Sequence, residues 1–275
     1  MSAVAEAVAE GKLPGRVWMY ADYHCNLACT YCLTESAPKA PRRVIGRERM
    51  LEIAGEAAEL GFTDLGVTGG EPFLLRWLPE ALAEMSERLP VLVLTNGTLF
   101  TRRRLAELAP LVQRDVAMQI SLDRPDPDDN DEMRGPENFR KVVDAVPKLV
   151  DKGIKVRIAT TVESIEDAEL DRLCALHREL GVPDEDHIVR PIVRRGRALD
   201  HDLGVVAHQV DVPAELTVTV DGAFWSPFGP TVHDGVVDTD LLITRTTRPL
   251  STAANAMLRL TGELPEGDDV ALNIR

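Results

Sequence analysis

Cysteine is scarce in this chain of 275 residues: four are present, and three of them fall between residues 25 and 32. That crowding makes a poor disulfide framework and a good set of metal ligands. No run of about twenty apolar residues exists, so no membrane-spanning helix is expected. Residues 1–16 lack the basic start and apolar centre of a secretory signal, and a cytoplasmic protein is expected. Basic residues are in deficit: the formal net charge is −14. Such a chain repels phosphate backbones, which disfavours nucleic acid as the main substrate. No internal repeat or low-complexity tract is found. The apolar fraction of 44% is that of an ordinary globular protein, and the length suits one sizeable catalytic domain.

What is present is a rhythm of strands and helices. Strands are expected at Arg16 to Ala21, Asp64 to Val67, Val91 to Leu94, Val116 to Leu122, Ile154 to Thr160 and Ile188 to Val193. Between them, Met50, Ile53, Ala54, Ala57 and Leu60 recur at helical spacing, with Gly61 as a C-cap. Trp77 to Leu89, Arg102 to Leu108, Phe139 to Val150 and Asp167 to Leu180 read as further helices. Pro147 should kink or break its helix. Arg124 to Arg134, rich in Asp and Pro, reads as a loop. Six βα units imply a mainly parallel sheet, too short to close an eight-stranded barrel. The expected fold is therefore α/β, a curved and open partial (β/α)6 barrel. After Arg197 the rhythm changes. Leu216 to Val220 and Ala223 to Phe228 read as a hairpin about Asp221-Gly222, and Ser251 to Leu260 as a terminal helix. The expected division is an N-terminal extension (1–16), a core (17–197) and a small α+β C-terminal extension (198–275).

The chemistry concentrates in Cys25-x3-Cys29-x2-Cys32. Three thiolates on one short loop can hold three corners of an iron–sulfur cube and leave one iron with an open position. The alternative is a structural zinc site with His24 or Cys174 as fourth ligand; the separated cysteine pairs usual in such sites are missing. Cys174 shares a helix face with Leu170, Leu173 and His177 and reads as core. Downstream, Thr68-Gly-Gly-Glu-Pro72 joins a strand to a helix, and its glycines permit close backbone approach. Leu94-Thr-Asn-Gly97 and Gln119-Ile-Ser-Leu-Asp123 end the next two strands, where open α/β sheets bind ligands. Ser121 and Asp123 share one side of their strand.

Together these motifs, in this order from about Val17 to Arg197, resemble the radical S-adenosylmethionine (SAM) superfamily. The resemblance implies one [4Fe–4S] cluster on Cys25, Cys29 and Cys32, with Tyr31 as the aromatic residue before the last cysteine. It implies SAM on the open iron, cleaved to a 5′-deoxyadenosyl radical that abstracts hydrogen from a substrate. Gly69, Gly70 and Glu71 are then expected at the methionine amino group. Thr95 and Asn96 belong to a recurrent cofactor-side segment, and Ser121 and Asp123 to the ribose side. Arg134 is expected at the SAM carboxylate or in a surface ion pair, and Val193 beside adenine or in the core. A flavodoxin or ferredoxin is the expected reductant. The C-terminal part is similar to a SPASM or twitch extension without its cysteines, since none follows Cys174. A cluster-free cap lowers the expectation of a peptide substrate and favours a small molecule: a sugar, nucleoside or natural-product intermediate. Peptide maturation is the alternative within the class. Non-catalytic metal binding is the alternative outside it. His201, His208 and His233 lie in the extension without a partner spacing that supports a site.

Overall fold

A computed structural model describes residues 2–262; residues 263–275, the end of the expected extension, lie outside the described residues, as does Met1. Strands β1 (Arg16–Tyr20), β2 (Asp64–Thr68), β3 (Val91–Thr95), β4 (Val116–Ser121), β5 (Lys155–Val162) and β6 (His187–Pro191) are parallel and adjacent in chain order. Helices fill the connections: α2 (Arg47–Leu60), α3 (Leu78–Met85), α4 (Arg102–Glu107), α5 (Pro127–Arg134), α6 (Asn138–Asp151) and α7 (Asp167–Glu179), while α1 (Ala3–Ala9) precedes the sheet. Among the described residues β6 pairs with β5 alone, so the sheet is open on that side. Apolar side chains such as Met19, Ile53, Leu65, Leu82, Met118 and Val146 form one continuous core between sheet and helices.

Beyond the six units the sheet continues. β7 (Thr217–Thr219) lies parallel to β1, β8 (Gly222–Phe224) folds back antiparallel on β7, and β11 (Leu242–Thr244) pairs with β8. The extension strands thus enlarge the core sheet to nine strands. A small separate hairpin joins β9 (Val232–His233) to β10 (Val236–Val237), and α8 (Leu250–Thr261) packs on α1 and α2. The return strand ends at Phe224, earlier than Phe228; Trp225 to Phe228 lie outside the strands, and the Pro227 carbonyl accepts the hydroxyl of Tyr20, the last residue of β1. No described helix is long and apolar enough to cross a membrane.

Two local readings are corrected. The stretch expected as a loop from Arg124 to Arg134 contains helix α5. Asp126 caps it by accepting the Asp128 N–H at 3.0 Å, Pro127 sits in the first turn, Asp128 and Asp129 favour the positive end of the helix dipole, and Arg134 occupies the last turn. The same Asp and Pro that suggest a loop are here helix-start signals. Pro147 lies inside α6, which runs unbroken to Asp151. Val142, Ala145, Val146 and Leu149 are buried on one face of α6, and that burial outweighs the missing backbone hydrogen bond.

Candidate active site

The cysteine loop follows β1 and lies across the C-terminal edge of the sheet. Its backbone is pinned from several directions. The Thr30 N–H donates to the Met133 carbonyl at 2.9 Å, Arg197 Nη1 donates to the Cys29 carbonyl at 2.6 Å, and the Arg197 N–H donates to the Cys32 carbonyl at 2.9 Å. At the loop's entry the Gly70 N–H donates to the Asp22 carbonyl at 2.8 Å and the Glu71 N–H to the His24 carbonyl at 3.0 Å. Gly69 has φ +144°, and a Cβ there would strike the Asp22 carbonyl; one on Gly70 would strike the His24 carbonyl. Both glycines are required by the approach of the chain's own cysteine loop, and both also line the cavity described next.

That cavity has a volume of about 180 Å³ and is walled by Cys25, Cys29 and Cys32 together with Gly69, Gly70 and Ser121. Leu33, Ile192, Val193 and Phe228 add apolar surface. Burial pushes the Cys25 thiol up to about 12, helped by the nearby Glu71 charge, and burial also raises Cys29. Holding these groups as thiolates therefore calls for a strong local positive charge, which bound iron provides. Among the described residues, the ligand atoms that converge within 4.8 Å belong to Glu35, His233 and Asp234, not to the cysteines. Sulfurs on one tetrahedral zinc would stand about 3.8 Å apart, given the usual Zn–S length. Neither fourth zinc ligand is in place: His24 does not line the cavity, and Cys174 Sγ lies 3.7 Å from His187 Nδ1. A wider set of three soft donors fits a multi-iron cluster.

Polar groups surround the sulfurs. Asn96 Nδ2 donates to Cys25 Sγ at 3.6 Å and to Asn26 Oδ1 at 3.0 Å, and the Leu27 N–H lies 3.4 Å from Cys25 Sγ. Thr34 Oγ1 lies 3.6 Å from Cys32 Sγ and 2.7 Å from Ser36 Oγ. Glu71 is fully buried and does not line the cavity. Its carboxylate accepts from the Phe73 N–H at 3.0 Å, Thr95 Oγ1 at 2.9 Å and the Asn96 N–H at 2.8 Å. Its side chain is thus saturated within the protein, and it fixes Thr95 and Asn96, which do reach the cavity.

Asp123, Tyr31 and Arg134 form one buried knot. Arg134 Nη1 donates to Asp123 Oδ2 at 3.0 Å and also to the Tyr31 hydroxyl, and that hydroxyl donates to Asp123 Oδ2. Asp123 Oδ1 accepts the Thr161 N–H at 2.9 Å. Tyr31 and Arg134 face the cavity; Asp123 lies behind them. Arg134 is therefore neither a surface ion pair nor a free cation. Val193 lines the cavity, whereas His201, His208 and His233 do not. Sequence reasoning missed Thr161 and Arg190, which line the cavity from β5 and β6, and Tyr20 from β1. The available signal for Arg190 is a charged residue at the C-terminal end of a core strand.

Comparison with known proteins agrees with this geometry. The profile of the Radical SAM superfamily matches residues 23–176. The subtilosin biosynthesis protein AlbA of Bacillus subtilis is 30% identical over 181 residues, covering 65% of this chain and 40% of that protein. A probable GTP 3′,8-cyclase of Archaeoglobus fulgidus is 34% identical over 151 residues, covering 54% of this chain and 50% of that one. The chain thus spans half or less of these curated relatives. The crystal structure of BtrN in complex with AdoMet and 2-DOIA shares the fold, with a TM-score of 0.52 and 16% identity over 95% of this chain and 92% of that one. Matched over more than half its length, this chain belongs to the Radical SAM superfamily, whose enzymes use a [4Fe–4S] cluster and S-adenosylmethionine.

Proposed function

We propose that this chain holds one [4Fe–4S] cluster on Cys25, Cys29 and Cys32, cleaves SAM reductively, and directs the resulting radical at a small molecule. The observation that carries this reading is a single cavity lined by all three cysteines, Gly69, Gly70, Ser121 and, from the extension, Pro227 and Phe228. When bound, cluster and SAM supply an electron, an open iron position and a 5′-deoxyadenosyl radical able to take hydrogen from substrate.

The chain's own residues do the rest. Asn96 and Thr34 stabilise the thiolates by donating toward sulfur. The backbone at Gly69 and Gly70 receives the methionine end of SAM, with Glu71 acting at one remove by fixing Thr95 and Asn96. Ser121 meets the ribose. The knot of Tyr31, Asp123 and Arg134 makes a rigid wall. Leu33, Ile192, Val193 and Phe228 give the cavity apolar walls that shut out solvent and limit side reactions of the radical. Residues 198–275 serve as a cluster-free cap on the core of residues 17–197, and a flavodoxin or ferredoxin delivers the electron.

A second reading, a peptide substrate, is about as well supported: AlbA, by its name, serves the biosynthesis of the bacteriocin subtilosin, and SkfB of Bacillus subtilis is by its name a sporulation killing factor maturation protein. Deuterium transfer into 5′-deoxyadenosine separates the two. Label arriving from sugars or nucleosides supports the first reading; label arriving from peptides alone overturns it.

A further inference from the structure

We propose that Arg190 is an anion-binding residue of this cavity and that the substrate presents a carboxylate or phosphate group to it. The inference rests on reading the cavity as the reaction chamber. Arg190 ends β6 and lines the cavity, with Nε donating to Thr161 Oγ1 at 3.2 Å. Among the described residues, its two terminal nitrogens have no protein acceptor and no carboxylate lies within 4.0 Å of it. The neighbouring arginines are all engaged. Arg134 is paired with Asp123, Arg195 Nη2 lies 2.6 Å from Asp240 and 3.2 Å from Asp238, and Arg197 donates to the carbonyls of Cys29 and Ser36.

Arg190 is half-buried in the cavity wall, its terminal nitrogens remain open to the cavity, and burial lowers its basicity. The chain has 45 acidic residues against 31 basic ones, yet the carboxylate within electrostatic reach of Arg190, Asp123, is already paired with Arg134. Five donors in a planar fork match a carboxylate or phosphate, and the one bond to Thr161 leaves the outer edge of that fork available.

Position favours the substrate over SAM as the source of the anion. The carboxylate of SAM belongs to its methionine end, placed at Gly69 and Gly70 after β2, whereas β6 is the edge strand farthest from β2 among the core strands β2 to β6. Arg190 lies within electrostatic reach of Tyr31, Asp123 and Arg134, and on its other side of Tyr20, whose hydroxyl donates to the Pro227 carbonyl at 2.6 Å. It therefore belongs to the wall that the extension completes.

The test uses the reconstituted chain loaded with SAM, as wild type, Arg190→Lys and Arg190→Met. Iron content and SAM cleavage first establish that each holoenzyme is assembled; their failure in the wild type would defeat the underlying reading instead. Inorganic phosphate and acetate then serve as probes, titrated by calorimetry or thermal shift. Saturable binding in the wild type is expected, weakened about tenfold to a hundredfold in Arg190→Met, the loss of one charged hydrogen-bonded contact. Arg190→Lys should fall between. The dissociation constant for SAM should stay within about twofold in all three, since less than half a kcal/mol is then at stake. Absent anion binding in the assembled wild type, or equal binding in Arg190→Met, overturns the proposal. So does a SAM affinity that collapses in Arg190→Met while that of decarboxylated SAM does not, since the anion is then SAM's own carboxylate.

Discussion

Asp123, just past β4, and Arg134 at the end of α5 form an ion pair of 3.0 Å with 0% and 5% of their side chains exposed. Tyr31, from the cysteine loop, bonds to both. The pair therefore couples a barrel strand, the helix after it and the loop that carries the thiols.

Breaking that pair should be expensive. Arg134→Leu leaves an unpaired buried carboxylate, and a loss of about 3–5 kcal/mol is expected in denaturant unfolding. The double variant Asp123→Asn with Arg134→Leu should recover part of it, because no lone charge then remains. A double variant no more stable than Arg134→Leu would contradict this account of the knot.

Gly70→Ala puts a methyl group into the His24 carbonyl. The cysteine loop must then shift, and iron bound after anaerobic reconstitution should fall well below that of the wild type while the circular dichroism stays that of an α/β protein. Full iron loading would show that the close approach is dispensable.

Thr34→Val removes the hydroxyl 3.6 Å from Cys32 Sγ. Loss of a donor toward a thiolate makes the cluster harder to reduce, so its potential should move to more negative values in an EPR-monitored titration. A potential unchanged or raised would remove Thr34 from that role.

His177 is fully buried, neither ring nitrogen has a partner, and its ring stands edge-on to His187 at 4.3 Å between centroids. Burial, then the His187 charge, lowers its pKa from 6.5 to about 3, and burial lowers His187 as well. Because the unfolded chain binds these protons more readily, stability is full above pH 6.5 and declines as pH falls toward 3. The slope from His177 alone reaches about 1.4 kcal/mol per pH unit. His177→Leu should flatten the stability profile across that window; an unchanged slope would contradict a neutral buried imidazole.

The six parallel strands were legible because Val91 to Leu94 and its like are short apolar runs between helical periodicities. The cysteines and glycines were legible because close spacing and backbone freedom leave marks in the chain. Helix α5 was not, since Asp and Pro serve loops and helix starts alike and only the cap geometry of Asp126 decides. The burial of Glu71 and Asp123 was not legible either: a carboxylate that faces a ligand and one saturated by neighbouring N–H groups look identical as letters. Arg190 escaped because its meaning lies in what is not beside it, which only folding reveals.

The central claim is tested most directly by anaerobic reconstitution of the wild type and Cys29→Ala with iron and sulfide, followed by reduction in the presence of SAM. The account predicts about four irons per wild-type chain and 5′-deoxyadenosine as product, with both lost in Cys29→Ala. Stoichiometric zinc with no SAM cleavage, or cleavage undiminished in Cys29→Ala, would contradict it.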